Sequence, residues 1–170
     1  MSEGLSIVVA QLAGRLAGFL AMAFPSADGP ANQSLAFLRA AASVVSPDPA
    51  MARWGPCLDR LISKLGLERE DIDLLLLAGM PEEHEGYAAV FRGLHPRGEP
   101  RPSLGLAAQL FGSGRHDFLR DLESRRVIRN GAIRVRDTAP LFERTLEPLE
   151  SLWPALHGAE ERVCRRDDRQ

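Results

Sequence analysis

The chain has 170 residues and a mass of 18.6 kDa, enough for one compact domain with an appendage but not for several independent cores. Apolar residues at 45% and charged residues at 26% mark a folded chain, and a net charge of −2 excludes a strongly basic nucleic-acid coat protein. Aromatics at 6% are too sparse for a base-stacking platform, and two cysteines without a C-x-x-C pair fit a reducing, cytoplasmic setting with no structural zinc.

Residues 5–24 form the first predicted helix. Leu5, Val8, Val9, Leu12, Leu16, Phe19 and Leu20 recur at helical spacing and build one broad apolar stripe. The segment approaches the roughly 20 residues of a membrane span. Arg15 lies at its centre, however, and Gln11, Gly14 and Gly18 dilute it. Glu3 is the only early charge, so the basic flank of a secretory leader is missing. The expectation is a helix packed on protein, with no membrane partner and with Arg15 laying its stem along the border of the stripe. Pro25 and Pro30 bracket a turn, residues 31–43 form a second helix with Leu35, Leu38 and Ala42 on one face, and residues 46–49 break it.

From residue 51 onward short helices alternate with sharp stops. Cys57, Leu58, Leu61, Ile62 and Leu65 share a face, and Gly66 stops that helix. Residues 67–80 open with Glu68, Glu70 and Asp71, become apolar nearly all round, and are expected to be the most buried element, ended by Pro81. Residues 85–94 place Tyr87, Val90, Phe91 and Leu94 on one side, and residues 95–102 are a loop of proline, glycine and arginine. Ser103 is an N-cap for a helix over residues 104–111. After a turn at residues 112–114, residues 115–126 point Phe118, Leu119 and Leu122 inward. Asn130-Gly131 then sits between stretches rich in β-branched residues, which predicts a type I′ β-hairpin over residues 127–136. Ile133 and Val135 should face the core, and Arg134 and Arg136 the solvent. A closing helix is expected over residues 146–156, seated by Leu152 and Trp153.

Short helices followed by one hairpin are the order of a winged helix-turn-helix. The expected fold is mostly α: a helical hairpin over residues 1–50, a winged helix-turn-helix domain with one β-hairpin wing over residues 51–158, and a charged, frayed tail over residues 159–170. The helix before the wing, or the one before that, would be the recognition helix.

Three stretches also carry a resemblance. They are Leu74-Leu75-Leu76-Leu77-Ala78-Gly79-Met80-Pro81-Glu82-Glu83-His84-Glu85-Gly86-Tyr87, then Phe91-Arg92-Gly93-Leu94-His95-Pro96-Arg97-Gly98-Glu99-Pro100-Arg101-Pro102-Ser103, and the closing Leu152-Trp153-Pro154-Ala155-Leu156-His157-Gly158. Together they resemble the N-terminal winged-helix region of a group of bacterial AAA+ ATPases, some of which are encoded beside extracellular contractile injection systems. The resemblance spans residues 54–158 and is one of core, turn and loop residues. It implies a module that precedes an ATP-binding motor. The phosphate loop of such a motor, G-x-x-x-x-G-K-[ST], is not among the 170 residues. Gly112-Ser113-Gly114-Arg115 is the nearest glycine-rich stretch; it lacks the lysine and follows a helix rather than a strand. The chain is therefore expected not to be an enzyme and to need no cofactor or metal.

Residues 101–137 hold eight arginines against four acids, a surplus of four positive charges. Arg125, Arg126, Arg129, Arg134 and Arg136 concentrate in the last helix and the wing. A planar guanidinium there suits paired phosphate oxygens, and it also blunts a hairpin edge. A reading helix at residues 104–111 would offer only Ser103 and Gln109 to base edges, which weakens sequence-specific DNA reading. Glu82, Glu83 and Glu85, with Glu68, Glu70, Asp71 and Asp73, would repel a phosphate backbone. They either cap helices and line a solvated turn or dock a basic partner, such as the arginine face of a neighbouring copy. His84 stands among glutamates, but consecutive turn residues do not converge on one ion. Cys57 belongs to an apolar helix face, Cys164 lies in the tail beside Arg165, and no Ser-His-Asp set can be nominated.

The expected function is a non-catalytic adaptor of a AAA+ ATPase, binding a protein client or assembly partner through the wing and the N-terminal hairpin. The alternative is a winged-helix regulator that contacts nucleic-acid phosphates through Arg129, Arg134 and Arg136. Self-association is open.

Overall fold

Residues 71–80 have almost no polar side chain beyond two aspartates, and a helix of that composition has to be enclosed. In the computed structural model, which describes residues 3–25, 29–43, 55–112, 115–136 and 139–158, the run is the middle of α4 (Arg69–Glu83). All ten of its residues are buried. Before it come α1 (Glu3–Ala23), α2 (Pro30–Ser43) and α3 (Pro56–Leu65). After it come α5 (Glu85–Leu94), α6 (Leu104–Phe111), α7 (Arg115–Leu122), α8 (Arg126–Arg129), β1 (Ile133–Val135), a 3-10 turn (Leu141–Glu143), β2 (Leu146–Pro148) and α9 (Leu152–Leu156). Helices α1, α5, α6 and α8 and strand β2 all pack directly on α4. The described residues are thus mostly helical with one small antiparallel sheet.

The α1 stripe lies as its spacing requires. Leu5, Val8, Val9, Leu12, Leu16 and Leu20 are buried, and Phe19 is half-buried. Gly14 lets α2 come close, because Ala42 Cβ stands 3.4 Å from where a Cβ on Gly14 would be. The buried side chains of both helices belong to one cluster with those of α4, α5 and α6, so the hairpin is seated on α4 and α5. Helix α1 is also long and apolar enough to cross a membrane, with 50% of that window buried in protein. Arg15 is exposed at the stripe's edge, 5.1 Å from the Phe111 ring centre and 3.3 Å from Asp73. Asp73 is buried and also meets Arg69 at 3.4 Å, so two cations match one carboxylate taken into the bundle.

Several helix ends follow their local signals. Gly66 closes α3 in the left-handed region (φ 62°), its N–H on the Ile62 carbonyl. Ser103 caps α6, Oγ accepting from the Leu106 N–H at 3.1 Å. Asp71 does more than open α4. Its Oδ2 accepts the Glu68 N–H at 3.0 Å, and its Oδ1 accepts the Val127 N–H at 3.3 Å, 56 residues away. One buried carboxylate thereby serves donors at the starts of two helices, α4 and α8. Asp71→Ala should lower stability by about 2 kcal/mol, because both N–H groups lose their partner. The check is a lower urea midpoint with an unchanged m-value.

The C-terminal half departs from the sequence expectation in several places. No hairpin forms around Asn130-Gly131: Val127 and Ile128 lie in α8, and Asn130 keeps a right-handed backbone (φ −84°, ψ 0°). A type I′ turn needs positive φ at both central residues, and only Gly131 has it (φ 74°). The dipeptide is instead a helix stop, with the Asn130 N–H and Nδ2 both on the Arg126 carbonyl at 2.9 Å. Val127 is fully buried with its N–H on Asp71, and that tertiary tie outweighs the strand preference of a β-branched residue.

Strand β1 pairs instead with β2, Ile133 opposite Pro148, Arg134 opposite Glu147 and Val135 opposite Leu146. The connection of the pair is residues 136–145. Ile133 is buried, Val135 half-buried, and Arg134 and Arg136 exposed, in the expected sense. Residues 146–148 are therefore strand rather than helix, drawn in by β1 and by the Leu146 N–H on the Pro102 carbonyl at 2.9 Å. The closing helix is confined to Leu152–Leu156.

Pro81 does not end α4, which continues to Glu83. A proline in the last turn forgoes one backbone bond, and contacts to Glu83 from α1 and α9 hold that turn. Helix α6 is no reading helix, since residues 104–108 are buried against α4, α7 and the 3-10 turn. The break at residues 46–49 and the tail at 159–170 lie outside the described residues.

Candidate functional site

Glu83, the last residue of α4, joins three parts of the chain. Ser6 Oγ of α1 donates to its Oε1 at 2.7 Å. Trp153 Nε1–H of α9 donates to its Oε2 at 2.9 Å, and His157 Nε2 meets the same oxygen at 2.7 Å. A carboxylate only accepts, so Nε2 carries the proton. Burial by itself would raise the pKa of the Glu83 carboxyl. The hydrogen bonds from Ser6, His157 and Trp153 and the attraction of the His157 ring outweigh burial, and the net direction is down. Tyr87 moves the other way, raised by burial and then by the Glu83 charge. One turn before Glu83, Gly79 leaves room for Trp153, whose ring fills the space a Cβ would need. Trp153 is buried, as expected for the residue that seats the closing helix.

The three acids of the expected docking face separate. Glu83 turns inward to this junction. Glu82 meets Arg101 at 3.0 Å, and Glu85 is exposed. Adjacent helical residues differ by about 100° in direction, which sends Glu82 and Glu83 to different sides of α4.

The arginines also divide. Arg125 lies 3.8 Å from Glu70, and Arg126 Nη1 donates to the Gly66 carbonyl at 2.6 Å. Arg136 meets Glu147 at 3.5 Å, and Arg101 shares that carboxylate at 3.5 Å. Arg129 and Arg134 are exposed. Much of the positive surplus of residues 101–137 is thus matched by the fold's own carboxylates.

His95 and His84 have local duties. Buried His95 places Nε2 on the Glu143 carbonyl at 2.7 Å and accepts the Arg97 N–H on Nδ1 at 3.1 Å, tying residues 95–97 to the 3-10 turn. His84 caps α5, its Nδ1 accepting the Gly86 N–H at 2.9 Å. That bond uses a bare nitrogen, so the Glu85 carboxylate 3.8 Å away is a neighbour rather than an acceptor from Nδ1. Cys57 is half-buried against the core.

Two clefts flank α1. At its C-terminal end Phe19, Phe24, Leu94, Leu106 and Phe142 line a cleft of about 490 Å³, with Ser103, Gln109 and Glu143 as polar members. Of the four large apolar side chains exposed among the described residues, Phe24 lies in this cleft. Met22 and Leu141 adjoin its lining in sequence. Near the start of α1 a second cleft of about 480 Å³ opens between α1 and α2, with Glu83 in its lining.

Sequence reasoning missed the Glu83 junction because Ser6, Trp153 and His157 stand 77, 70 and 74 residues from it. The resemblance stretches contain Glu83, Trp153 and His157 but do not pair them. Among known proteins, no family model, no curated protein and no solved structure matches this chain.

Proposed function

We propose that this protein is a non-catalytic recognition module of the winged helix-turn-helix class, binding a protein client or assembly partner of a AAA+ ATPase. The observation that carries the reading is the cleft at the end of α1. Phe19 and Phe24 of the N-terminal hairpin line one side, and Phe142 of the β1–β2 connection lines the other. The N-terminal hairpin is one of the two elements expected from the sequence to meet a client; the expected wing over residues 127–136 is replaced here by the β1–β2 connection that carries Phe142. An apolar cleft rimmed by polar groups suits a protein segment better than a phosphate backbone.

The winged-helix reading has its own support. Helices α6, α7 and α8 precede an antiparallel pair, and a single isolated bridge joins Ser103 to Thr145, the residue before β2. In that frame α7 takes the exposed recognition position. It presents His116, Asp117, Arg120 and Asp121, both signs together, with Arg120 held by Asp117 at 2.6 Å. That mixture disfavours a polyanion.

The test is a photo-crosslinking residue placed at Phe24 and, as a control, at exposed Ser124, in the native host. An adduct with a AAA+ ATPase subunit or its client from position 24 alone is the expected result. Equal adducts from both positions, or none, would overturn the reading. Duplex DNA binding decides the alternative. Affinity that falls steeply with salt and disappears when Arg129, Arg134 and Arg136 are all replaced by alanine would favour the phosphate reading instead.

A further inference from the structure

We infer that the cleft between α1 and α2 is a separate site that takes a basic side chain, lysine or arginine, carried on an aliphatic segment of a protein partner. Its walls are Ile7, Val9 and Ala10 from α1 and Ala40 and Ala41 from α2, and a space of about 480 Å³ holds one long side chain with its apolar neighbours. Glu83 is the one lining residue among aspartate, glutamate, lysine and arginine. It lies at the end where Ser6, His84 and Tyr87 also contribute to the lining.

The chemistry of that end favours a cation. A carboxylate oxygen accepts two hydrogen bonds, and Glu83 Oε1 has one from Ser6, itself a lining residue, which leaves Oε1 able to accept a second. Its hydrogen bonds hold the carboxyl below the usual glutamate range, so it is ionised at neutral pH. The Phe37 and Tyr87 rings also line the cleft, with centroids 5.2 Å apart, and rings of this kind attract a guanidinium or ammonium. Phe37 is fixed in place over Gly86, where a Cβ would collide with its ring. An anionic segment would be repelled by Glu83. A wholly apolar one would cover the remaining acceptor without a partner.

This cleft shares no lining residue with the one at the end of α1, so either site can fail without the other. The experiment titrates the isotope-labelled full chain with an acetylated, amidated leucine-arginine-leucine peptide and follows backbone amide signals by NMR. Peptides with norleucine or glutamate in place of arginine run beside it. Expected are saturable shifts centred on Ser6, Phe37, His84 and Tyr87. The arginine peptide should bind about tenfold more tightly than the norleucine one, the ratio of one modest charge-assisted contact. Ala40 is exposed and lines the cleft, so Ala40→Phe can fill it from α2 while leaving the sequence of the Glu83 junction unchanged; it should abolish the shifts. Equal binding of the norleucine peptide overturns the inference. So do shifts mapped elsewhere, no shifts at all, or undiminished binding by a folded Ala40→Phe chain.

Discussion

Gly79→Ala should destabilise the protein by about 3 kcal/mol, although the same change inside most helices stabilises. A helix-interior alanine ordinarily gains up to ~1 kcal/mol over glycine. At Gly79, however, the new methyl would overlap the Cζ3, Cε3 and Cη2 atoms of the Trp153 ring. Helix α4 is packed by α1, α5, α6, α8 and β2 and cannot back away. The ring must therefore move, and in moving it gives up both its burial and the Nε1–H bond to Glu83. Loss of a buried tryptophan contact costs ~3–5 kcal/mol, which exceeds the propensity gain several-fold. Urea unfolding in a Trp54→Phe background measures the loss, and a red-shifted Trp153 emission reports its cause. Gly18→Ala is the matched control. Nothing lies within 4 Å of the added Cβ, so that variant should gain a few tenths to ~1 kcal/mol. If both glycines respond alike, Trp153 does not sit on α4 as described.

Glu83→Gln should lower stability by about 2–3 kcal/mol at neutral pH, with a loss that shrinks in acid. The carboxylate accepts bonds from Ser6, Trp153 and His157, and bonds to a charged acceptor are worth ~1.5–3 kcal/mol each before compensation. An amide keeps one oxygen but places an NH₂ where the other acceptor stood, against at least one of three donors. The folded pKa lies below the ordinary value of 4.5, so Glu83's contribution is fully present above about 4.5 and disappears as pH falls through the folded value. Other carboxylates titrate in both proteins, so the difference between wild type and variant isolates Glu83. Urea midpoints at pH 7, 5, 4 and 3 measure it. A difference that stays constant to the lowest pH would show that the charge of Glu83 contributes nothing to the junction.

Local signals were read well where the physics is local. The period of α1, the enclosed composition of α4, the left-handed Gly66 and the Ser103 cap each depend on a few neighbouring residues. The clefts and the Glu83 junction were not legible in this way. Glu82, Glu83 and Glu85 look alike in composition, yet one pairs with Arg101, one binds Ser6, Trp153 and His157, and one meets solvent. Asn130-Gly131 was misread because the dipeptide tolerates a type I′ turn without demanding it. The deciding bond, Val127 to Asp71, crosses 56 residues.

By itself the sequence determined a mostly helical chain, the identity of its central helix and most of its helix ends. Backbone period, side-chain hydrophobicity and capping act within a turn or two of chain. Tertiary structure alone decided that β1 pairs with β2, that α4 continues past Pro81 and that Glu83 rather than its neighbours faces inward. Each of those outcomes rests on a donor, an acceptor or a packed ring brought from far along the chain, and no periodicity records such a meeting.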